Sequence, residues 1–228
     1  MMAGPMQHAR APAPGDGSSS SSRAAAPRRR TKAPQARRAD LMASAERLFV
    51  AQGFAATSID EIAAGAHVAK GTFYLYFASK DALLAALQER FVEGFFARIE
   101  RAMSRHRPDD WQARLRAWIK AGLDTHFDQA ALHDVIFHEL GVENRRAMRD
   151  NVVVRQLALM LQNGARAGIW AVDDPHWTAV MLFNTMHGLA HDTVGGEDSP
   201  NRTYLVRILT NFCERALAHP SCPDHNVC

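Results

Sequence analysis

The stretch Ser58–Lys80 reads SIDEIAAGAHVAKGTFYLYFASK, and its pattern encodes two short helices separated by a tight turn. Thr57 and Ser58 are both good N-cap residues, and Ser58 with Glu61 three places on makes a capping box, so a helix is expected to begin here. Ile59, Ile62, Ala63 and Ala66 then fall on one stripe. A second helix is expected from Lys70, where Phe73 and Phe77 lie one turn apart and can face a core while Lys70, Thr72, Tyr74 and Tyr76 point elsewhere. Only Ala66, His67, Val68 and Ala69 separate the halves. Two helices joined by three or four residues form a helix-turn-helix, whose second helix enters the major groove of DNA.

Extended to IDEIAAGAHVAKGTFYLYFASKDALL, the pattern resembles the DNA-binding motif of the tetracycline-repressor (TetR) family. The likeness takes in the preceding amphipathic helix, the Lys-Gly-Thr-aromatic-Tyr core of the recognition helix, the Tyr76-Phe77 pair and the Ser79-Lys80 start of a long helix. It is dense over about Gln35 to Leu87. Two positions depart from it: His67 stands where the turn usually has Gly, and Ala69 where a Ser usually caps the recognition helix. A non-Gly residue at positive φ is uncommon, with His among the better tolerated types. The missing cap should weaken the helix start by about 1 kcal/mol.

The resemblance implies that Lys70, Thr72 and Leu75 face base edges, that Gly71 lets the backbone approach closely, and that Thr57, Ser58, Tyr74, Tyr76 and Lys80 hold phosphates. The chemistry suits those roles. Lys can donate to guanine and Thr can touch a thymine methyl, whereas hydroxyl and amine donors grip phosphate oxygens without reading sequence. The competing reading makes Tyr74 and Tyr76 half-buried packing.

The 228 residues suffice for one sizeable core and a small extra domain. The net charge of +3 conceals an asymmetry: residues 1–34 carry six Arg and Lys against Asp16 alone, residues 35–80 five against four, and the remainder 16 against 19. A basic N-terminal end suits a nucleic-acid contact confined to that end. Cys213, Cys222 and Cys228 are odd in number and crowded together, which argues against a disulfide framework and for a reducing cytoplasm. No apolar run approaches the roughly 18 residues of a membrane helix, and no signal-peptide core is visible, so a cytoplasmic protein without a membrane partner is expected.

The expected organisation is all-α. Residues 1–34, rich in Ala, Pro, Ser and Arg, read as a disordered basic tail, in which Arg28, Arg29, Arg30 and Lys32 could reach DNA or merely be solvated. Residues 35–82 form the DNA-binding domain, with the helix-turn-helix at about 59–78; residues 83–218 form a larger helical effector-binding and dimerisation domain; residues 219–228 form a flexible tail. Nine helices are expected. The first spans about 36–51 with Leu41, Ala45, Leu48 and Phe49 buried, and stops at Gly53; the fourth runs from Ser79 as N-cap towards Arg105. Helices five and six carry Trp111 to Leu123 and Leu132 to Leu140, the latter stopped near Gly141; the seventh runs from about Asn144 to Ala167. Asp173-Asp174-Pro175 opens the eighth, which extends to about Val194, and Ser199-Pro200 the ninth, whose stripe is Leu205, Ile208, Leu209 and Phe212.

The eighth helix is apolar nearly all round, so it must be covered on more than one side. The resemblance implies a four-helix dimer interface made by helices eight and nine with their copies, with Gly188 permitting close approach. A ligand pocket is expected among Trp118, Phe127, Phe137, His138, Trp170, Trp177, Phe183 and His187, although aromatic residues at helical spacing are more often plain core. His187 and His191 lie one turn apart beside Asp192, with His133, His138 and Glu139 on another helix, so His133, His138, His187 and His191 are candidate ligands for a divalent metal. Solvated or core histidines are the commoner outcome. Cys222, His225 and Cys228 have ligand-like spacing but no fourth partner nearby.

These observations predict a homodimeric regulator of transcription, a repressor that occupies a palindromic operator and is released from it by a small ligand. Its partners would be double-stranded DNA, its own copy and an effector, and no cofactor beyond a divalent metal or that effector is implied. Two rivals remain: a metal-dependent helical hydrolase built on the His-Asp cluster, and a dimeric scaffold that binds no DNA.

Overall fold

The computed structural model describes Met1 and residues 33–138, 152–193 and 201–218. The chain divides into two compact units, Met1–Ala33 and Pro34–Cys228, and every described helix lies in the second. Most of the expected basic tail, the stop near Gly141, the Gly195–Ser199 loop and the tail 219–228 with Cys222, His225 and Cys228 lie outside the described residues.

Among the described residues there are nine helices and no strand. Helix α1 (Pro34–Gln52) buries Leu41, Met42, Ala45 and Phe49 and ends at Gly53, whose φ of 84° lets its N–H return to the Phe49 carbonyl at 2.9 Å. Helix α2 (Ile59–Gly65) carries the capping box in full: Ser58 Oγ accepts from Glu61 N at 3.2 Å, and Glu61 Oε2 accepts from Ser58 N at 2.8 Å. These bonds hold the Glu61 carboxyl below its usual pKa. His67 takes the left-handed conformation at φ 57°. Helix α3 (Lys70–Phe73) is four residues long, and no side chain caps it at Ala69. Tyr76 N and Phe77 N both donate to the Phe73 carbonyl, continuing the turn as far as Phe77.

Helix α4 (Lys80–Met103) starts under the Ser79 hydroxyl, which accepts from Ala82 N at 3.0 Å. Its 24 residues span about 36 Å at 1.5 Å each. Its buried stripe begins with Leu83, Leu84 and Leu87, passes through Phe91 and Phe95, and ends with Ile99 and Met103. Helices α5 (Trp111–Asp128) and α6 (Ala130–His138) follow, then α7 (Val152–Arg166), α8 (Pro175–Thr193) and α9 (Arg202–Leu217). The Asp110 carboxylate caps α5, and Asp174 accepts from Trp177 N to start α8 behind Pro175. Helix α4 lies along α5, α7 lies along α8, and α5 meets both α8 and α9. Helix α6 touches α1 as well as α4. Arg116 on α5 reaches Glu214 on α9 at 2.5 Å, and Arg202 reaches Asp128 at 2.9 Å.

Two expectations about the last helix change. Its cap is Asn201, whose side chain accepts from Thr203 N at 2.8 Å, so α9 starts two residues beyond Pro200. Its buried stripe is Leu205, Leu209, Cys213 and Leu217 at strict four-residue spacing. Phe212 belongs to the neighbouring stripe and is 49% exposed. In α8 the burial of Ala179, Val180, Leu182, Phe183, Met186 and Ala190 leaves Trp177 and Met181 on the outside.

Candidate DNA-reading surface and a buried histidine triad

The helix-turn-helix is held from below by two rings. Phe73 and Phe77 are buried with centroids 5.7 Å apart, and Phe73 meets Tyr74 edge-on at 5.5 Å. With those rings inward, the next positions face out: Leu75 is 79% exposed and Tyr74 51%, while Gly71 and Lys70 are also exposed. Thr72 and Tyr76 are half-buried, and Tyr76 packs partly on the core. Lys70 Nζ lies 2.8 Å from Asp60 Oδ2, and that carboxylate raises the lysine pKa above its ordinary value. Both groups are largely in water, so a phosphate or base can compete for the ammonium.

Two of the expected phosphate contacts are engaged elsewhere. The Thr57 side chain is buried, donating to the Gly53 carbonyl at 2.7 Å and accepting from Gln52 Nε2, so its hydroxyl closes the α1–α2 corner and faces no solvent. Lys80 Nζ donates to the carbonyls of Phe54 and Thr57, each at 2.7 Å, and lies 4.3 Å over the Phe54 ring. Those carbonyls lie past the end of α1, outside any helical ladder, and although Phe54 O also accepts from Thr57 N at 3.2 Å, each has capacity left for a cation. The Ser58 hydroxyl is exposed but shared with Glu61.

A second site lies in the helical core, where α5, α6 and α8 each contribute one histidine. The ring centroids of His126, His133 and His187 stand 4.3, 4.8 and 4.9 Å apart. His126 and His133 are buried and His187 is half-buried. Burial and the neighbouring imidazoles lower the His126 pKa to about 3, and burial lowers that of His187. Phe91, Phe95, Phe137 and Phe183 complete the walls of a cavity of about 30 Å³.

The residues expected to line a ligand pocket fall in several places. Phe137, Phe183 and His187 line this cavity. Trp118 is fully buried core; Phe127 lies under the Arg202 guanidinium; Trp170 packs against Gly164 of α7; and Trp177 is 50% exposed on α8. Of the expected metal ligands, His133 and His187 come together, His191 is on the exposed side of α8, and the side chain of His138 lies outside the described residues. His126 was not expected. It follows Leu115, Trp118, Ile119 and Gly122 along the buried stripe of α5, and that spacing was the available signal.

Comparison with known proteins bears on both regions. The model described as "Bacterial regulatory proteins, tetR family" matches residues 41–87, and that described as "Tetracyclin repressor-like, C-terminal domain" matches residues 110–217. The HTH-type transcriptional regulator EthR of Mycobacterium tuberculosis is 31% identical over 205 residues, covering 87% of this chain and 86% of that protein. EthR of Mycolicibacterium smegmatis matches at 31% over 97 residues, and there the chain spans only 42% of the relative's length. A solved structure of a Rhodococcus sp. RHA1 protein of unknown function has the same fold, with a TM-score of 0.71 at 22% identity over 84% of this chain and 98% of that one. From the helix-turn-helix to the last helix, this chain belongs to the TetR family of bacterial regulatory proteins.

Proposed function

We propose that the chain is a homodimeric transcriptional repressor that occupies a palindromic DNA operator and leaves it when its helical core takes up an effector. The observation that carries this reading is the outward face of Gly71, Tyr74 and Leu75, fixed by the buried rings of Phe73 and Phe77. Lys70, Thr72 and Leu75 read base edges, Gly71 admits the backbone, and Ser58, Tyr74 and Tyr76 hold phosphates. Regulation needs only an effector that prefers the non-binding state, with a coupling of about 1 to 3 kcal/mol.

Dimerisation uses α8 and α9. Trp177, Met181 and Phe212 are 50, 60 and 49% exposed and line one groove of about 790 Å³ across the two helices. Large apolar side chains gathered in one patch mark an association surface. Among the described residues, none lies within 4 Å of a Cβ placed on Gly188, which leaves room for a partner helix. A dimer also supplies the two heads that neighbouring major grooves require, about 34 to 36 Å apart. A cytoplasmic location follows from contact with DNA; no described helix is long and apolar enough to cross a membrane.

A gel shift on the protein's own upstream DNA at two salt concentrations tests the reading. True binding falls steeply with salt through its phosphate contacts, and salt-independent retention or none refutes it. Tyr74→Ala should weaken all sequences alike, whereas Lys70→Ala should also relax base preference. Trp177→Glu should yield monomers by light scattering, and an intact dimer rejects the α8–α9 interface. The hydrolase and scaffold alternatives lack a supporting observation among the relatives, which are regulators of transcription.

A further inference from the structure

His126, His133 and His187 come from three different helices, and a ligand nitrogen of each lies within 4.8 Å of those of the other two. Imidazole nitrogens about 2.0–2.1 Å from a tetrahedral zinc ion are about 3.4 Å apart, so each pair has about 1.4 Å or less to close. Small side-chain rotations cover that distance. The cavity of about 30 Å³ has the volume of roughly one liquid water, far below the roughly 300 Å³ at which organic ligands begin to fit. It is therefore scaled to an ion with its water. The three rings are shielded by Phe91, Phe137 and Phe183, at centroid distances of 5.6, 4.8 and 6.2 Å from their nearest histidine. An ion held by nitrogen alone is a first-row transition metal, because Mg²⁺ and Ca²⁺ demand oxygen ligands. Asp134 Oδ1 stands 3.5 Å from His133 Nδ1.

We propose that His126, His133 and His187 bind one divalent first-row transition-metal ion per chain, zinc or cobalt, with water in the remaining position. The ion acts on DNA affinity through α6. Drawing His133 towards α5 and α8 moves a helix that also touches α1 of the DNA-reading domain and α4, whose Phe91 ring lies against His133. The site stands on its own geometry, while its regulatory use rests on the proposed DNA-binding function.

The test titrates full-length, chelator-treated protein with ZnCl₂ by calorimetry and with CoCl₂ by visible absorption. One ion per chain and a tetrahedral cobalt spectrum are expected. His126→Ala, His133→Ala and His187→Ala should each lower affinity at least tenfold, while His106→Ala, exposed after α4, should leave it unchanged. Absence of stoichiometric binding by the wild-type protein overturns the site without recourse to any variant, as does full affinity in all three variants. Operator affinity with and without ZnCl₂ is then read by fluorescence anisotropy, and a shift of at least fivefold is expected. Stoichiometric zinc with unchanged DNA affinity overturns the regulatory step, whereas stoichiometric zinc in a protein that binds no DNA overturns the proposed function and leaves the site intact.

Discussion

Phe73→Ala tests whether a single side chain holds the DNA-reading helix in place. Phe73 is fully buried and touches the rings of Tyr74 and Phe77, while α3 has only four residues and no side-chain cap. A helix that short has no stability of its own, so its docking depends on this ring. Truncating a buried Phe to Ala costs about 3 to 5 kcal/mol. Where that loss falls on docking of α3, the binding-competent fraction drops tenfold per 1.4 kcal/mol, and operator affinity declines on the order of 100-fold or more. Its ring contacts among the described residues are to Tyr74 and Phe77, so the proposed dimer of the C-terminal helices should persist. Fluorescence anisotropy on an operator duplex measures the loss, with circular dichroism and light scattering reporting on the remainder of the molecule. Affinity within threefold of wild type, or dissolution of the dimer, refutes the reasoning.

Three further perturbations probe separate parts of the chain. Ala69→Ser should supply the missing cap, since Ala69 already has the extended backbone of an N-cap; a gain of about 1 kcal/mol raises the melting temperature by about 2 to 4 °C, and an unchanged transition counts against it. Gly164→Ala sets a Cβ 2.3 and 2.4 Å from atoms of the buried Trp170 ring, and should cost about 1 to 3 kcal/mol by overpacking; an unaltered denaturation midpoint rejects that. Burial raises the Cys213 thiol to about 12, which leaves roughly one thiolate in 10⁴ at pH 8. In a Cys222→Ser, Cys228→Ser background it should react with a disulfide reagent only on unfolding, and fast labelling of native protein contradicts the assignment.

The local signals in the sequence proved the readable ones. Ser58 with Glu61, Gly53, Ser79 and Asp174-Pro175 each mark a helix end through backbone chemistry confined to a few residues, and each end is found at or beside its marker. The long-range pairings were not readable. His187 and His191 attract notice as a one-turn pair, yet the cluster takes one histidine from each of three helices and turns His191 outward. Thr57 and Lys80 look like surface donors in one dimension, but folding brings the carbonyls at the end of α1 beside them. Phe212 shows the same limit, because two adjacent stripes on α9 are both apolar and only packing decides which one turns inward.

The bond from Lys80 back to the carbonyls of Phe54 and Thr57 bears on how members of such a family can exchange parts. A chimaera joined at Ser79 would split this joint between two parents, and a recipient lacking the lysine would leave the Thr57 carbonyl of the donor head without its cation. Grafts that swap operator specificity should therefore be cut beyond Leu87, carrying the opening turns of α4 together with the corner they clasp.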